Sequence, residues 1–336
     1  MALKLAINGF GRIGRLVYRT ILESGRDDLS VACINDLGSA EANAHLLKFD
    51  TVHGQLDNDI TVDGDTMHAG AGPVRVTAER DPAKLPWVEM EVDIALECTG
   101  FFATRAAAAK HLEAGAKRVL VSAPASGADL TVVYGVNSDQ LTADHMVVSN
   151  ASCTTNCLAP VAHVLNQAIG IERGFMTTIH SFTGDQRTVD TLHSDLHRAR
   201  TASSSMIPTT TGAARAVGLV LPELDGKLDG TSIRVPTPNV SMIDFTFTPS
   251  KATSAGEVNE AAEAAAADGP LKGILGTNAL PLVSIDFNHN PLSSVFDLSE
   301  TQVVDGEFVR VLSWYDNEWG FSNRMVDTAV AMGATL

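Results

Sequence analysis

Cys153 is the residue whose type and setting point most directly to covalent chemistry. It lies in the segment SNASCTTNC, directly after a strand-like run and at the start of a predicted helix. Because a helix dipole stabilises a thiolate at the helix N-terminus, this position predicts a lowered thiol pKa. The flanking Ser152 and Thr154 are small and polar, which argues against a buried structural cysteine. The sequence therefore predicts that Cys153 is a nucleophile.

Cys157 lies four residues further on, on the same predicted helical face. Together with Cys153 it is also compatible with a redox or a metal site. The chain has no second ligand pair at zinc-like spacing, however, and C-x-x-x-C differs from the C-x-x-C of thiol oxidoreductases. We therefore interpret Cys157 as structural and predict no metal site. Cys33 and Cys98, in strand-like runs, are predicted to be small buried apolar residues.

A nucleophilic thiol needs a base, and His180 is the best placed of the ten histidines. It ends the β-branched run TTIH, which would deliver its ring to a sheet edge beside polar residues. His193 and His197 are four residues apart and look like a metal pair. No third ligand accompanies them and Arg198 would repel a cation, so we interpret them as a solvated helical face.

Two segments predict anion recognition. The run PTTTGAAR, residues 208–215, carries hydroxyls and a glycine at a predicted helix start, which suits a phosphate or sulfate. Arg234 is a charge inside the otherwise apolar strand SIRVPTP, a position that is costly unless an anion or a carboxylate is near. A structural ion pair is the alternative for Arg234.

A dinucleotide site is predicted near the beginning of the chain. Gly9, Gly11 and Gly14 form a G-x-G-x-x-G in NGFGRIGR, after a strand and at the opening of a helix. The three glycines allow a tight turn, close approach of a pyrophosphate and close packing of helix on strand. Asp36 ends the second strand, where its carboxylate would bind the adenosine ribose and repel a 2′-phosphate. NAD is therefore predicted over NADP; the alternative is a glycine turn followed by an ordinary surface aspartate.

The elements that must position these residues follow two patterns. In the first half, strands at LKLAING, SVACIND, VDIALECTG and AKRVLVSAP alternate with helices at RIGRLVYRTILESG and TRAAAAKHLEAG. This alternation predicts an α/β fold with a Rossmann, doubly wound parallel sheet. In the second half, SIRVPTP, VSMIDFTFTP, LVSIDF and FVRVLSWYD follow one another as strands without a crossover helix. They predict an α+β domain with a mixed, largely antiparallel sheet and helices such as VNEAAEAAAADG on one face.

Composition excludes several classes of function. The 336 residues are 45% hydrophobic and 19% charged, as in a globular protein of two domains. The net charge of −16 argues against a nucleic-acid or membrane partner, so that any phosphate must be bound by local arginines and backbone N–H groups. No apolar run suits a membrane span and no signal peptide is recognised, so a cytoplasmic location is expected.

Taken together, these segments resemble the phosphorylating glyceraldehyde-3-phosphate dehydrogenases of the bacterial, NAD-dependent type. The resemblance covers essentially the whole chain in the family's order. It is carried by the motifs INGFGRIGR, KFDTVHG, ERDP, SAPA, SNASCTTNCLAP, IHSFTGDQ, DLHRAR, MIPTTTGAA, LPELDGKLDG, RVPTPNVS, DFNHNP and SWYDNEWGFSNR. The resemblance implies a homotetramer whose subunits each have a Rossmann NAD-binding domain, residues 1–151 with 318–336, and a catalytic domain, residues 152–317.

The chemistry of the family, carried onto this sequence, is covalent. The resemblance implies that Cys153 attacks the aldehyde of glyceraldehyde 3-phosphate to form a thiohemiacetal. It also implies that His180 raises the thiolate character of Cys153 and then accepts the hydroxyl proton as a hydride leaves. Loss of a hydride to NAD leaves a thioester, which inorganic phosphate converts to 1,3-bisphosphoglycerate. The backbone N–H of Cys153, with His180, would stabilise the developing oxyanion.

The resemblance also implies the remaining binding residues. The substrate phosphate matches Thr183, Asp185 and Arg234. The inorganic phosphate matches Ser152, Thr154, Arg198, Thr211 and Gly212. For NAD, the matching residues are Arg12 and Ile13 at the pyrophosphate turn with Gly9, Gly11 and Gly14, Asp36 at the ribose, Arg80 and Ser122 at the adenosine side, and Asn317 at the nicotinamide carboxamide.

Departures from the family's pattern bear on the cofactor. Phe321 stands where a tyrosine is usual, which removes a hydroxyl near the nicotinamide but keeps a ring. Thr191 and Leu192 stand where strict NAD enzymes often carry Leu-Pro, in a segment that reaches toward the cofactor of a neighbouring subunit. Leu37 after Asp36 is nevertheless NAD-like. Use of both NAD and NADP is the alternative, with a higher catalytic efficiency expected for NAD.

Two rival functions are weighed against this one. An erythrose-4-phosphate dehydrogenase would release its thioester to water, but the intact TTTG segment and Arg198 preserve the inorganic-phosphate site. A non-catalytic NAD-binding interaction protein is disfavoured because Cys153, His180 and Arg234 are all intact.

Overall fold

A computed structural model describes residues 2–336, and the chain divides into two compact units. The first unit comprises the chain up to Val132, Ser138–Ser152 and Ser322–Leu336. The second unit comprises Val133–Asn137 and Cys153–Phe321. These boundaries differ from the ranges expected from the sequence in two ways: the long segment of the second unit runs over 153–321 and not over 152–317, and the short segment Val133–Asn137 groups with it.

The first unit is built on a nine-stranded sheet. Its strands are β1 (Leu3–Asn8), β2 (Leu29–Asn35), β5 (Thr61–Asp63), β6 (Thr66–His68), β7 (Pro73–Thr77), β8 (Ile94–Glu97), β9 (Arg118–Val121), β10 (Leu130–Thr131) and β11 (Val147–Ser149), with a separate ribbon of β3 (Phe49–Asp50) and β4 (Gly54–Gln55). The order is β10-β11-β9-β8-β1-β2-β7-β6-β5. All neighbours from β10 to β7 pair in parallel, which confirms the predicted doubly wound sheet. The antiparallel extension through β6 and β5 was not predicted.

Four helices belong wholly to the first unit. They are α1 (Arg12–Ser24), α2 (Ala40–Lys48), α3 (Arg105–Ala108) and α4 (Lys110–Glu113). Leu16, Val17 and Ile21 of α1 are buried at helical spacing, which is why this helix was predictable. The Ala-rich helix predicted at TRAAAAKHLEAG forms two short helices, the first capped by the side chain of Thr104.

The second unit contains an eight-stranded mixed sheet. Its strands are β12 (Ile171–Ser181), β13 (Ile207–Thr210), β14 (Leu228–Val235), β15 (Ser241–Pro249), β16 (Leu275–Asn278), β17 (Ser294–Asp297), β18 (Gln302–Val304) and β19 (Phe308–Tyr315). The order is β13-β14-β12-β15-β19-β17-β16, with β18 paired to β19. Only β12 with β14 and β16 with β17 are parallel, so the prediction of a largely antiparallel sheet is confirmed. Alternate residues of β15 are buried, including Ile243, Phe245 and Phe247.

The remaining helices are α5 (Cys153–Ile169), α6 (Ala213–Val220), α7 (Ala255–Ala267) and α8 (Trp319–Gly333). α7 confirms the helix predicted at VNEAAEAAAADG, and it begins with a capping box between Ser254 and Glu257. α8 begins in the second unit and ends in the first. Among the described residues, no helix has the length and apolar character that crossing a membrane requires.

The prediction of a strand at LVSIDF, residues 282–287, is wrong. Ser284–Phe287 form a short 3-10 helix, whose turn is closed by a 2.8 Å hydrogen bond from the backbone N–H of Val283 to the carboxylate of Asp286. Val283 and Ile285 are 59% and 70% exposed, so the alternating apolar pattern does not face a core. The strands of this region are β16 and β17.

Candidate active site

Cys153 and His180 form the centre of the site in the second unit. Cys153 is the first residue of α5, and its Sγ lies 3.5 Å from Nε2 of His180. His180 is the penultimate residue of β12 and is only 3% exposed. β12 lies between β14 and β15, so the ring is delivered by the end of an interior strand rather than by an edge strand.

The pKa of the Cys153 thiol is raised. Burial is the largest cause, and it outweighs the charge of Arg234 and the hydrogen bonds from Thr154 and the backbone, all of which lower the pKa. The lowered pKa predicted from the helix position is therefore wrong as a net effect. The groups that favour the thiolate are present, but removal of the thiol from water costs more.

The contacts of His180 do not fix its proton. Nδ1 lies 2.7 Å from the carbonyl oxygen of Ser181, which can only accept, and 2.7 Å from Nη1 of Arg234, which can only donate. Burial and the charge of Arg234 lower the pKa of His180 to about 3, although the Ser181 carbonyl raises it. His180 is therefore a neutral imidazole near pH 7, which is the form that accepts a proton.

Arg234 reaches this pair because of strand register. Arg234 and His180 are direct partners in the parallel pairing of β14 with β12. Nη1 of Arg234 also donates to the Ser181 carbonyl at 3.2 Å, whereas its buried Nε has no hydrogen-bond partner within residues 2–336. Burial lowers the pKa of the guanidinium, and the neighbouring Cys153 raises it. A half-buried cation with an unused donor suits an anionic ligand.

Tyr315 supports this centre and was not predicted. Its hydroxyl lies 2.8 Å from Oγ1 of Thr154 and 2.9 Å from Oγ1 of Thr178. Its ring meets that of His180 edge-on, with the centroids 5.9 Å apart. Tyr315 thereby joins the first turn of α5 to β12. In the sequence it is one more aromatic residue of an apolar strand, and only its position at the strand end gave a signal.

Cys157 lies among buried neighbours in α5. Its Sγ is 3.3 Å from Oγ of Ser294, and burial raises the pKa of its thiol to about 12. Across residues 2–336 no group of three or more His, Cys, Asp or Glu side chains is arranged to hold a metal ion. These observations fit a structural Cys157.

A second group of polar side chains surrounds Arg198. Its Nη1 pairs with Oδ2 of Asp185 at 2.7 Å, and its Nε donates to Oγ1 of Thr209 at 3.1 Å. Nε2 of His193 lies 3.4 Å from Oδ1 of the same Asp185. The segment that carries His193 and His197 forms turns, so its interpretation as a helical face is wrong. The carboxylate of Asp185 thus contacts two nitrogen-bearing side chains.

The other residues predicted to bind phosphate lie at turns and helix starts. Gly212 is the N-cap of α6, and Oγ1 of Thr211 accepts a 3.1 Å hydrogen bond from the backbone N–H of Ala213. Thr183 lies in the turn that follows β12, and Ser152 directly precedes α5 in the chain. The first turns of α5 and α6 are the kind of backbone that binds anions.

Asn317 is held by two serines. Its Oδ1 accepts hydrogen bonds from Oγ of Ser181 at 2.9 Å and from Oγ of Ser241 at 2.8 Å. Both bonds engage the oxygen, which leaves the amide Nδ2 of Asn317 as a donor. Because Ser181 follows His180 in β12, the same strand end orients the base and this amide.

The first unit contains a cavity of about 390 Å³. Asn8 and Asn35, the last residues of β1 and β2, line it, as do residues that directly follow β8. Dinucleotides bind at this carboxyl edge of a doubly wound sheet. Four of the residues predicted to bind NAD line the cavity: Gly9, Gly11, Asp36 and Arg80.

Two of the three glycines at this turn, Gly9 and Gly14, leave no room for a side chain. Gly9 has a φ of 90°, and a Cβ there would lie 2.7 Å from the backbone nitrogen of Thr99. A Cβ on Gly14 would lie 2.1 Å from the carbonyl oxygen of Gly9. Asp36 is oriented by a 2.9 Å hydrogen bond from the backbone N–H of Phe10 to its carboxylate. The turn, the close approach and the oriented carboxylate fit a dinucleotide.

The remaining residues predicted to bind NAD in this unit lie elsewhere than in the cavity lining. The side chain of Arg12 forms a bidentate ion pair with Asp50, and Ile13 lies beside it in the first turn of α1. Ser122 contacts the thiol of Cys98. Cys98 itself lines the cavity and is partly exposed, so its interpretation as an ordinary buried residue is wrong.

Several cavity residues were missed from the sequence. They include Asn8, Asn35, Thr99 and the 87%-exposed ring of Phe101. Each ends a strand of the parallel sheet or closely follows one. Because ligands bind where such strands end, position rather than residue type was the signal that could have found them.

A parallel sheet with a dinucleotide cavity, together with a partly exposed thiol that faces a buried imidazole beside an arginine, defines a nicotinamide-dependent dehydrogenase that uses a cysteine nucleophile. Comparison with known families agrees. The family model described as the NAD binding domain of glyceraldehyde 3-phosphate dehydrogenase matches residues 3–105, and that of its C-terminal domain matches residues 152–317. The chain belongs to the glyceraldehyde 3-phosphate dehydrogenase family, and its cofactor is NAD.

Curated relatives match along the whole chain. A glyceraldehyde-3-phosphate dehydrogenase of Xanthobacter flavus is 69% identical over 333 residues, which cover 99% of each chain. One from Cereibacter sphaeroides is 65% identical over 336 residues, covering 100% of each. Glyceraldehyde-3-phosphate dehydrogenase 1 of Bacillus subtilis is 56% identical over 330 residues, covering 98% of each.

Proposed function

We propose that this protein oxidises glyceraldehyde 3-phosphate, with NAD and inorganic phosphate, to 1,3-bisphosphoglycerate. The observation that carries the proposal is the 3.5 Å approach of Cys153 Sγ to His180 Nε2, with Arg234 on the other side of the imidazole. A thiol, a neutral base and a cation at one point are what a covalent reaction on a phosphorylated aldehyde requires. The names of the full-length relatives support the substrate.

The first step forms a bond between Cys153 and the aldehyde carbon. Nε2 of His180 accepts the thiol proton during attack and returns it to the new alkoxide, which gives the hydroxyl of the thiohemiacetal. His180 accepts this hydroxyl proton again when the hydride leaves. The charge of Arg234 lowers the pKa of the thiol in opposition to burial, and it therefore reduces the cost of forming the thiolate during attack. The backbone N–H groups at the start of α5 stabilise negative charge on the former carbonyl oxygen.

Residues of this chain would hold NAD, which would supply the hydride acceptor for oxidation of the carbon attached to Cys153. We propose that Gly9, Gly11, Arg12, Ile13 and Gly14 hold its pyrophosphate, that Asp36, Arg80 and Ser122 hold its adenosine, and that Asn317 donates to its carboxamide. The free amide Nδ2 of Asn317 and the oriented carboxylate of Asp36 support this assignment. Whether the enzyme also uses NADP is tested by the ratio of its catalytic efficiencies, which we expect to favour NAD.

The acyl group is then transferred to phosphate. Attack by a phosphate oxygen forms the acyl phosphate, breaks the carbon–sulfur bond and returns the electron pair to Cys153. We propose that Ser152, Thr154, Arg198, Thr211 and Gly212 bind this phosphate, and that Thr183 and Arg234 bind that of the substrate. Asp185, a carboxylate, is repelled by phosphate, so it serves by holding Arg198 through their 2.7 Å ion pair.

Replacement of the nucleophile tests the proposal. The Cys153→Ser variant should lose all measurable dehydrogenase activity, because a serine hydroxyl at this site is not activated and its ester is less reactive than a thioester. NAD binding, measured by titration calorimetry, should remain. Absorbance of the reduced nicotinamide follows the rate, and hydroxylamine traps the acyl phosphate. Cys157→Ser is the matched control for replacement of a thiol in α5.

The assay separates the proposal from its rivals. A rate with glyceraldehyde 3-phosphate that rises with inorganic phosphate supports acyl transfer to phosphate. A rate independent of phosphate, with preference for erythrose 4-phosphate, would indicate the hydrolytic enzyme instead. Binding of NAD without turnover of either aldehyde would indicate a non-catalytic NAD-binding protein.

We further propose a homotetramer in the cytoplasm, on the basis of family membership. Apolar side chains of the second unit support association of subunits, because Leu192, Leu196 and Met206 are between 76% and 89% exposed. Exposed apolar side chains of this size commonly mark contacts between proteins.

A further inference from the structure

Glu97 and His111 are two buried titratable residues of the first unit that the catalytic scheme does not use. Glu97 is the last residue of β8 and is 1% exposed, and His111, in α4, is fully buried. Glu97 directly precedes Cys98, which lines the NAD cavity. A buried carboxylate is retained only where hydrogen-bond donors replace water around it.

Every contact of the Glu97 carboxylate is with a donor. Oε2 accepts from Nδ2 of Asn8 at 2.6 Å and contacts Nε2 of His111 at 2.9 Å. Oε1 accepts from the backbone N–H of Thr99 at 2.8 Å and from the Thr99 hydroxyl. Nε1 of Trp87, which can only donate, lies 3.0 Å from Nδ1 of His111. His111 must therefore carry its proton on Nε2 and donate it to Glu97.

The other end of the chain of hydrogen bonds is fixed in the same way. The backbone N–H of Glu79 donates to Oδ1 of Asn35 at 2.8 Å, and the Thr77 hydroxyl donates to the same oxygen at 2.9 Å. Nδ2 of Asn35 must then donate to Oδ1 of Asn8, at 2.7 Å. Nδ2 of Asn8 in turn must donate to Glu97. Nδ2 of Asn35 also donates to the Glu79 carbonyl at 2.8 Å. The path from Asn35 through Asn8 therefore has one allowed direction, and it ends on the Glu97 carboxylate.

We call this group, Trp87, His111, Glu97, Asn8 and Asn35, the Glu97 network. It joins the carboxyl ends of β8, β1 and β2, which are neighbours in the sheet. Three of its five members stand directly before a residue of the cavity: Asn8 before Gly9, Asn35 before Asp36 and Glu97 before Cys98. The backbone partner Glu79 likewise stands directly before Arg80.

We propose that Glu97 is a positioning residue for NAD. Its carboxylate holds the carboxyl ends of β1, β2 and β8 in the relative positions in which Gly9, Asp36 and Thr99 line the cavity. The inference rests on NAD binding by this unit, which is part of the proposed function. Under it, Glu97 positions the residues that bind the adenosine and pyrophosphate of the cofactor. Glu97 does not line the cavity, so it would act on the cofactor only through its neighbours. It acts through hydrogen bonds that a side chain of the same shape but different polarity cannot reproduce.

The Glu97→Gln variant of the full chain tests this directly. Whichever way the new amide turns, its NH2 faces at least one donor that cannot accept: the backbone N–H of Thr99 on one side, or Asn8 Nδ2 and His111 Nε2 on the other. We expect the dissociation constant of NAD, measured by titration calorimetry, to rise about tenfold, since unpaired buried donors displace the strand ends. The dissociation constant of ADP-ribose, which lacks the nicotinamide, should rise by the same factor. The KM for glyceraldehyde 3-phosphate should change by less than about twofold.

Two further variants separate positioning from general stability. Thr77→Val keeps the shape of a side chain but removes one donor at the far end of the network, and should raise the dissociation constant of NAD about twofold to threefold. Met67→Ala truncates a buried side chain of β6 that does not line the cavity. It should lower the unfolding midpoint and leave the dissociation constant unchanged.

Several results would overturn the proposal. Glu97→Gln could bind NAD and ADP-ribose as the unmodified protein does, or Met67→Ala could weaken NAD equally. If Glu97→Gln does not fold, Thr77→Val decides, and unchanged NAD affinity in it refutes the network's role. Failure of the unmodified protein to bind NAD would instead refute the proposed function.

Discussion

Two buried histidines, His111 in the first unit and His180 in the second, differ in how their proton is held. Nδ1 of His111 faces one donor, Trp87, and its Nε2 faces one carboxylate, Glu97. Nδ1 of His180 faces both the Ser181 carbonyl and the Arg234 guanidinium, at 2.7 Å each. The first ring has a single allowed tautomer, whereas the second has competing partners for the same nitrogen.

The difference teaches what burial does in each place. At His111 the low dielectric strengthens hydrogen bonds that all agree in direction, so the ring stabilises one arrangement of strand ends. At His180 burial and a neighbouring cation lower the pKa to about 3, which keeps the ring neutral and able to accept a proton. The single tautomer of His111 stabilises the structure, whereas the unfixed tautomer of His180 leaves its ring able to exchange a proton during the reaction.

Of the variants that test this comparison, removal of the His180 imidazole should have the largest effect on turnover. We expect His180→Asn to lower kcat by about 10²- to 10⁴-fold, because this is the usual contribution of a general base. The dissociation constant of NAD, measured by titration calorimetry, should not change. His68→Asn, at an exposed position of β6, is the control. Near-normal kcat in His180→Asn would mean that another group takes the proton.

Removal of the competing donor should give the next largest effect. Arg234 lowers the pKa of Cys153 and that of His180, so Arg234→Gln should raise both. With a higher thiol pKa, less thiolate exists at neutral pH, and alkylation of Cys153 by iodoacetamide should slow about tenfold with its pH profile moved upward. The KM for glyceraldehyde 3-phosphate should rise about 10- to 100-fold, because a charged hydrogen bond to its phosphate is lost.

Arg215→Gln provides the matched control for this prediction. Arg215 lies in α6 and forms an exposed ion pair with Asp229, so its loss should leave the alkylation profile in place. An Arg234→Gln profile that moved to lower pH would contradict the assignment of Arg234 as a group that favours thiolate.

Removal of the hydrogen bond from Trp87 to His111 should have the smallest effect on turnover. Trp87→Phe removes the donor to Nδ1 and frees the ring to change tautomer. We expect the free energy of unfolding in urea to fall by about 1–3 kcal/mol, since a buried acceptor loses its partner. The fall in kcat should be far smaller than that in His180→Asn. A comparable fall in kcat would show that the two histidines do not divide their roles in this way.

The helices and strands that could be predicted from the sequence are those with a strongly periodic apolar pattern. The apolar spacing in α1 and the alternation of buried residues in β15 predicted both elements correctly. LVSIDF failed because Asp286 closes a turn on Val283, a local hydrogen bond that competes with strand pairing. The short strands β16 and β17 carry too few residues for a pattern.

For the candidate site, residue type predicted which groups are present but not their energetics. Cys153 and His180 stood out by position, yet the direction of the thiol pKa depends on how deeply α5 buries it, which no local pattern reports. The roles of Tyr315 and Glu97 could not be predicted from residue type, because their partners, Thr178 and Asn8, lie far away in the chain. Such networks exist only once the sheet has formed.

The Glu97 network also constrains how the first unit folds. Asn8 and Glu97 are 89 residues apart in the chain, and a contact of this kind must wait for a long loop to close. The cavity is therefore completed only after β1, β2, β8 and α4 have assembled. NAD then meets a chain that has already folded. It slows the loss of the native state by mass action and does not guide the early stages of folding.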